Sequence, residues 1–251
     1  MDVPVKMSIA PPAGAASGGA PPTVASAIVD VARDLARTVP PPRGAPYFYL
    51  DAAATYDLRV LDSFCTQGIF RKYEFALDLG SGLGGRARWL AARSGCRIVG
   101  VDPCVDSVVA STLLNHRAHM DDQVTFQVGR LDRLPLRDRI FTHVWIVDPP
   151  AEAALARVCV EVFRVLRPGA SFAMHAPRAF GQRCDDVLEQ LRAIGFIEAH
   201  AHDVTLTEIP HSCRVARDRW RCAGHPASPP ESTVPAPQLQ TAWQAFARRP
   251  A

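Results

Sequence analysis

ALDLGSGLGGRARWLAA, residues Ala76 to Ala92, decides the fold: an apolar strand pattern runs into glycines and then straight into a helical pattern. Gly80, Gly82 and Gly84 remove the Cβ atoms that would block a tight strand-to-helix turn and the approach of a ligand to backbone. Ser81 lies between the first two, and Asp78 sits two residues before them. A carboxylate there can accept from a cationic amino group. A second apolar run, Arg97 to Val101, ends at Asp102 and Pro103. An acidic residue about 20 residues beyond such a loop has the spacing of one that binds ribose hydroxyls.

Around this centre, short β-rich runs alternate with helical patterns, which predicts an α/β fold with a mostly parallel sheet and helices on both faces. Strands are expected at Phe75 to Leu79, Arg97 to Val101, Val124 to Gln127, His143 to Val147 and Ser171 to His175. Helices fit Gly85 to Arg93, Val105 to His116, Ala151 to Leu166 and Cys184 to Ile194. A further strand should follow Gly195, near Phe196 to Val204, with another around Arg214 to Trp220 and a last short helix near Gln240 to Arg248. Upstream, Met1 to Pro22 is too poor in large apolar groups to offset the entropy of ordering and is expected to be disordered. Thr23 can then cap an amphipathic helix that Pro40, Pro41 and Pro42 stop, and a second helix runs through Leu58, Leu61 and Phe64.

With 251 residues, 48% of them hydrophobic and 21% charged, the chain can bury a sizeable core as one principal domain with appendages. A net charge of +3 gives only a mild positive field, so nucleic acid is not the expected partner. The seven cysteines are odd in number and scattered, mostly among apolar residues, which fits a reducing compartment. The N-terminal residues lack the charged start and apolar core of a signal peptide, and no run reaches the roughly 18 apolar residues of a membrane span. A cytoplasmic protein with no membrane partner is expected.

LDLGSGLGG, VDP, GRLDRLPLRDRIFTHVW and FRVLRPGASFAM occur in that order over roughly Tyr47 to Val204. Together they resemble the class I, S-adenosylmethionine-dependent methyltransferases, chiefly the small-molecule branch of quinone, tocopherol and sarcosine-type enzymes. The resemblance implies a Rossmann-like methyltransferase domain over 46–222, preceded by a Pro/Ala-rich extension (1–45) and followed by a Pro-rich tail (223–251). It implies S-adenosylmethionine as cofactor and a small-molecule methyl acceptor whose N, O or C is methylated. Asp78, Gly80, Gly82 and Gly84 would hold the methionine part, Asp102 the ribose, and Arg130, Leu131 and Asp132 would lie beside the adenine, with Ser81 and Pro103 also expected among the cofactor-binding residues. The chain departs from the family pattern at Arg130, where an acid is usual, at His143, where Asp is usual, and at Ala170, where a second Gly is usual.

Several features carry two readings. Gly80, Gly82 and Gly85 also satisfy the G-x-G-x-x-G spacing of a nicotinamide or flavin site, against which stands Asp78, whose charge would lie close to a pyrophosphate. DPPA at Asp148 to Ala151 sits where base-methylating enzymes place an aromatic-tipped motif, but the aromatic is missing; a Pro-marked helix start with Asp148 near the pocket is the alternative. His175 at the end of the fifth strand could serve as a general base or as a hydrogen-bonded structural residue. His211, Cys213, Cys222 and His225 have no usual zinc spacing, so no metal site is expected. Tyr47, Phe48, Tyr49 and Tyr56 could pack in the core or close over a sulfonium cation. A noncatalytic binding module on the same fold is the competing class of function.

Overall fold

The computed structural model describes residues 29–30, 61–62, 65–66, 71–147, 149, 152–177, 183–206 and 240–251. Strands and helices alternate through most of these: β1 (Phe75–Leu79), α1 (Gly85–Ser94), β2 (Arg97–Asp102), α2 (Val105–Arg117), β3 (Val124–Val128) and β4 (Phe141–Val147). There follow α3 (Glu152–Val165), β5 (Leu166–Pro177), α4 (Cys184–Ile194), β6 (Ile197–Leu206) and β7 (Gln240–Arg248). The strands form one seven-stranded sheet in the order β3-β2-β1-β4-β5-β7-β6. β1 to β5 are parallel, and β7 runs antiparallel to both β5 and β6. This is the Rossmann-like, mostly parallel architecture that the alternating pattern predicts.

Side-chain alternation along each strand divides the core in two. Leu77, Leu79, Val144, Ile146, Phe172 and Met174 pack with Leu155, Val158 and Val162 of α3 and Val187 and Leu191 of α4. On the other face Ala76, Ile98, Val124, Phe126, Trp145 and Val147 pack with Ala87, Leu90 and Ala91 of α1 and Val108 of α2. Asp78, Asp102 and His175 lie on this second face: Asp78 is two residues on from Ala76 and opposite Trp145, Asp102 continues the row of Ile98 and Gly100, and His175 is opposite Val147. Leu61, from the second expected helix, is fully buried in the same cluster, and Val29, Asp30, Leu61, Asp62, Cys65 and Thr66 are all helical.

The LPLRD and RVLRPG segments are structural mates. Arg164, in the last turn of α3, donates to the carbonyls of Leu136 (2.8 Å) and Leu134 (3.2 Å) and reaches Asp138 at 2.6 Å. Its Nε and Nη2 also engage Glu161, whose carboxylate accepts the Leu134 N–H at 2.7 Å. The Arg164 hydrogen bonds hold the Glu161 carboxyl below the usual carboxylate range. Arg249 then donates to the carbonyls of Phe163 and Leu166, both at 2.7 Å, closing the junction between α3 and β5.

Two expectations at element ends are corrected. Leu166 does not end α3; it begins β5, paired with Phe141. More substantially, Gln240 to Arg248 is not a helix but β7. Its apolar run QTAWQAFAR fits a helix by composition, yet Trp243 to Ala247 are buried on both sides, with Trp243, Ala245 and Ala247 on one face and Phe246 on the other. A continuous apolar run of this length is equally a strand buried on both faces. Here β5 and β6 supply backbone partners along its length, so the C-terminal residues belong to the sheet. The predicted strand at Arg214 to Trp220, most of the helix after Thr23, and Tyr47, Phe48, Tyr49 and Tyr56 lie outside the described residues.

Candidate active site

The order of strands reverses between β1 and β4: successive strands run outward from β1 to β2 and β3 on one side, and from β4 to β5 on the other. Ligands of open α/β sheets bind beyond the carboxyl ends of the strands at such a point. The glycine turn leaves β1 there.

The turn is held open by specific contacts. Gly80, Gly82 and Gly84 have φ of 68°, 53° and 76°, a region that side chains adopt at a cost of about 1–2 kcal/mol. The N–H groups of Gly80 and Ser81 donate to the Val101 carbonyl at 2.8 and 3.2 Å, docking the turn on the end of β2. Gly82 N–H donates to Asp102 Oδ2 and Cys104 N–H to Asp102 Oδ1, each at 2.9 Å. A Cβ on Gly84 would lie 2.2 Å from the Phe126 ring, so the ring and the turn pack only because that position is bare. Nothing lies within 4 Å of a Cβ built on Gly80, which leaves open space above the first glycine for a ligand.

Asp78 and Asp102 therefore stand at the ends of adjacent strands, on the same face, either side of this space. Asp78 is fully buried and Asp102 is 8% exposed. The Gly129 N–H donates to the Asp102 carbonyl at 3.1 Å, which brings the loop of Arg130, Leu131 and Asp132 alongside. Within that loop Arg130 forks onto Asp132 at 3.0 and 2.8 Å, and this hydrogen bonding lowers the Asp132 carboxyl below its ordinary value. Pro103 follows Asp102 and is exposed.

Two buried cations escaped sequence reasoning. Arg86, second residue of α1, turns back so that Nη2 lies 2.7 Å from the Gly80 carbonyl and 3.8 Å from Asp78 Oδ1. Arg88 is fully buried beneath the turn and donates to the Leu83 carbonyl at 2.9 Å. The only sequence signal for either was a charge in the first turns of a helix that the apolar pattern buries.

His175 lies at the carboxyl end of β5 between Val147 of β4 and Gln244 of β7, and both His175 and Gln244 are fully buried. Burial first, and then the Arg86 charge, pull the imidazole down to about 4, so it is neutral at physiological pH. His202 of β6 continues this row opposite Gln244. Asp148 lies outside the described residues, as do His211, Cys213, Cys222 and His225. Of the departures from the family pattern, His143 sits on the amino half of β4, 3.8 Å from Glu74, at the opposite end of the strand from the turn. Ala170 is buried at the start of β5. Only Arg130 falls beside the site.

The comparisons with known proteins agree with this geometry. A family model described as a methyltransferase domain matches residues 77–174. The sterol 24-C-methyltransferase of Eremothecium gossypii is 30% identical over 149 residues, which cover 58% of this chain and 38% of that enzyme. The chain thus spans less than two fifths of the length of that relative. Among solved structures, the Haemonchus contortus phosphoethanolamine N-methyltransferase 2 complex with S-adenosyl-L-methionine aligns with a TM-score of 0.58 at 15% identity, over 77% of this chain and 53% of that one. The [4+2]-cyclase SpnF aligns with a TM-score of 0.63 at 19% identity, over 92% of this chain and 97% of that one. Residues 77–174, which carry the glycine turn, the reversed strand order and both acidic strand ends, are thus a methyltransferase domain by their family match, on the fold of class I, S-adenosylmethionine-dependent methyltransferases.

Proposed function

We propose that the protein transfers the methyl group of S-adenosylmethionine to a nucleophilic N, O or C of a small-molecule acceptor. The observation that carries this is the pair of carboxylates, Asp78 and Asp102, flanking an open glycine turn at the switch point of the sheet. Asp78 supplies an anion for the donor's ammonium, and Asp102 has lone pairs for ribose hydroxyls beyond those used by Gly82 and Cys104. Pro103 would border the ribose, and Ser81 shares the turn. Arg130, Leu131 and Asp132 would border the adenine.

The turn's own hydrogen bonds count against a dinucleotide. Gly80, Ser81, Gly82 and Gly84 already donate to Val101, Asp102 and Ser81, so these N–H groups do not point at a diphosphate as a nucleotide cradle requires.

A sulfonium donor brings an already activated methyl group. What the chain must do is align the acceptor about 3 to 3.5 Å from it and keep water out. His175, expected as a general base, is in this account a neutral hydrogen-bonding group, since burial makes its imidazolium costly. Asp148 is kept as a catalytic candidate on its place in the sequence after β4 alone. The sterol C-methyltransferase relatives favour carbon as the methylated atom.

Incubation of the purified chain with methyl-labelled donor and a cytosolic small-molecule extract tests the proposal. Label should appear in a small molecule with the wild type and not with Asp78→Ala. Labelled macromolecule alone, or no transfer with protein shown to bind the donor, would contradict it.

A further inference from the structure

We infer that the outer face of α2 is a self-association surface, on which a second copy of the chain docks antiparallel about a two-fold axis. A surface helix normally turns charged and polar side chains to solvent. α4 does so: Asp185, Asp186, Glu189 and Arg192 on its outer side are all exposed. α2 departs from this. Val108, Ala110 and Leu114 are buried, yet Val105, Val109 and Leu113 on the other side are 59%, 43% and 44% exposed. Spaced four residues apart, these three form one ridge along the helix. A single exposed apolar side chain is ordinary, but a row of three on one helix is the kind of surface that a partner covers.

The charges beside the ridge specify the occupant. Asp106 lies in the first turn of α2 and Arg117 in the last, and both are exposed. With 3.6 residues per turn, they stand about 100° and about 120° round the helix from Val105, on the same flank of the ridge. A two-fold axis lying in the contact plane, perpendicular to the helix, exchanges the ends of α2 and keeps its flanks. Asp106 of one copy then meets Arg117 of the other, and symmetry repeats the pair. The same operation brings Val109 and Leu113 of the two copies together at the centre. His116, the other basic group of the last turn, is engaged with Asp121 at 2.9 Å, which leaves Arg117 as the cation for this contact. α2 packs on β2 and β3, and β3 is the outermost strand, so the helix lies at the margin of the sheet where a second copy can approach. A contact built on one helix of 13 residues is at the small end of specific interfaces, so the dimer forms and dissociates with concentration.

Sedimentation velocity on the full chain, from micromolar to millimolar concentration, tests this. The wild type should pass from monomer to dimer, and Val109→Ser should weaken the dimer at least tenfold. Asp106→Arg and Arg117→Asp should each weaken self-association to a similar degree, because each sets like charges against one another across the contact. Mixed in equal amounts, these two variants should form a heterodimer at least tenfold tighter than either forms with itself, since every charged pair across the mixed contact is then of opposite sign. Should a reversal variant fail to fold by circular dichroism, Val109→Ser and Leu113→Ser carry the test. A wild type that stays monomeric throughout, a dimer unmoved by Val109→Ser, or folded reversal variants that do not pair when mixed would each overturn the inference. None of these outcomes depends on the donor reading.

Discussion

Asp102 spans the turn it faces: one carboxylate oxygen accepts the Gly82 N–H and the other the Cys104 N–H, each at 2.9 Å. The residue expected to meet the ribose therefore also fixes the shape of the loop that meets the rest of the donor. Asp102→Ala should lower stability by about 1–3 kcal/mol by leaving these N–H groups without their acceptor, and weaken S-adenosylhomocysteine at least tenfold. Asp102→Asn keeps one acceptor oxygen and should recover part of the stability. Denaturant melts beside calorimetry separate the two effects, and an Asp102→Ala protein of wild-type stability would contradict the loop-fixing role.

Gly100 and Phe126 make a second coupled pair. A Cβ on Gly100 would sit 2.4 Å from the Phe126 ring and 2.8 Å from Ser81 Cβ. Gly100→Ala should destabilise by about 1–3 kcal/mol through overpacking. Phe126→Leu should offset part of this, giving a favourable coupling energy in a double-mutant cycle. Simple additivity in denaturant melts would show that the ring does not limit this position.

The fold was legible because its signals are local. Five parallel strands and four helices follow from period and glycine placement, and the Gly80 to Gly84 turn with its two acids is visible in consecutive residues. What escaped depends on distant partners. Gln240 to Arg248 has an apolar pattern that fits a helix or a doubly buried strand equally, and β5 and β6 flanking it decide for β7. Arg86 and Arg88 are ordinary helix residues by sequence, and only the backward turn of their side chains onto the loop carbonyls brings them to the site. His175 was identified by position, but its full burial, which decides what it can do, comes from β4 and β7 together.

Burial of His175 sets a pH dependence. Its folded value, about 4, lies below the ordinary histidine value of 6.5, so the unfolded chain binds the proton more readily. Stability should therefore fall as pH drops from about 6.5 to about 4, and this contribution should level off below that. His175→Gln should flatten that segment of the stability curve relative to the wild type. Identical curves for the two proteins in urea melts between pH 4 and 7 would contradict the assignment.

Arg164 holds the Leu134 to Asp138 loop to α3 through two carbonyls and two acids. Arg164→Met should cost about 3 kcal/mol, since it strips the part-buried Glu161 of its cation and the loop carbonyls of their donor. It should also raise amide exchange across that loop while leaving β1 and α1 protected. Uniform exchange throughout the domain would mean that the arginine supports the whole fold and not this junction.

Calorimetric titration of the wild-type chain and Asp78→Ala with S-adenosylhomocysteine tests the central claim most directly. The account predicts a saturable heat at one site in the wild type and none in the folded variant. A wild-type protein, shown folded by circular dichroism, that gives no heat with this ligand would contradict it.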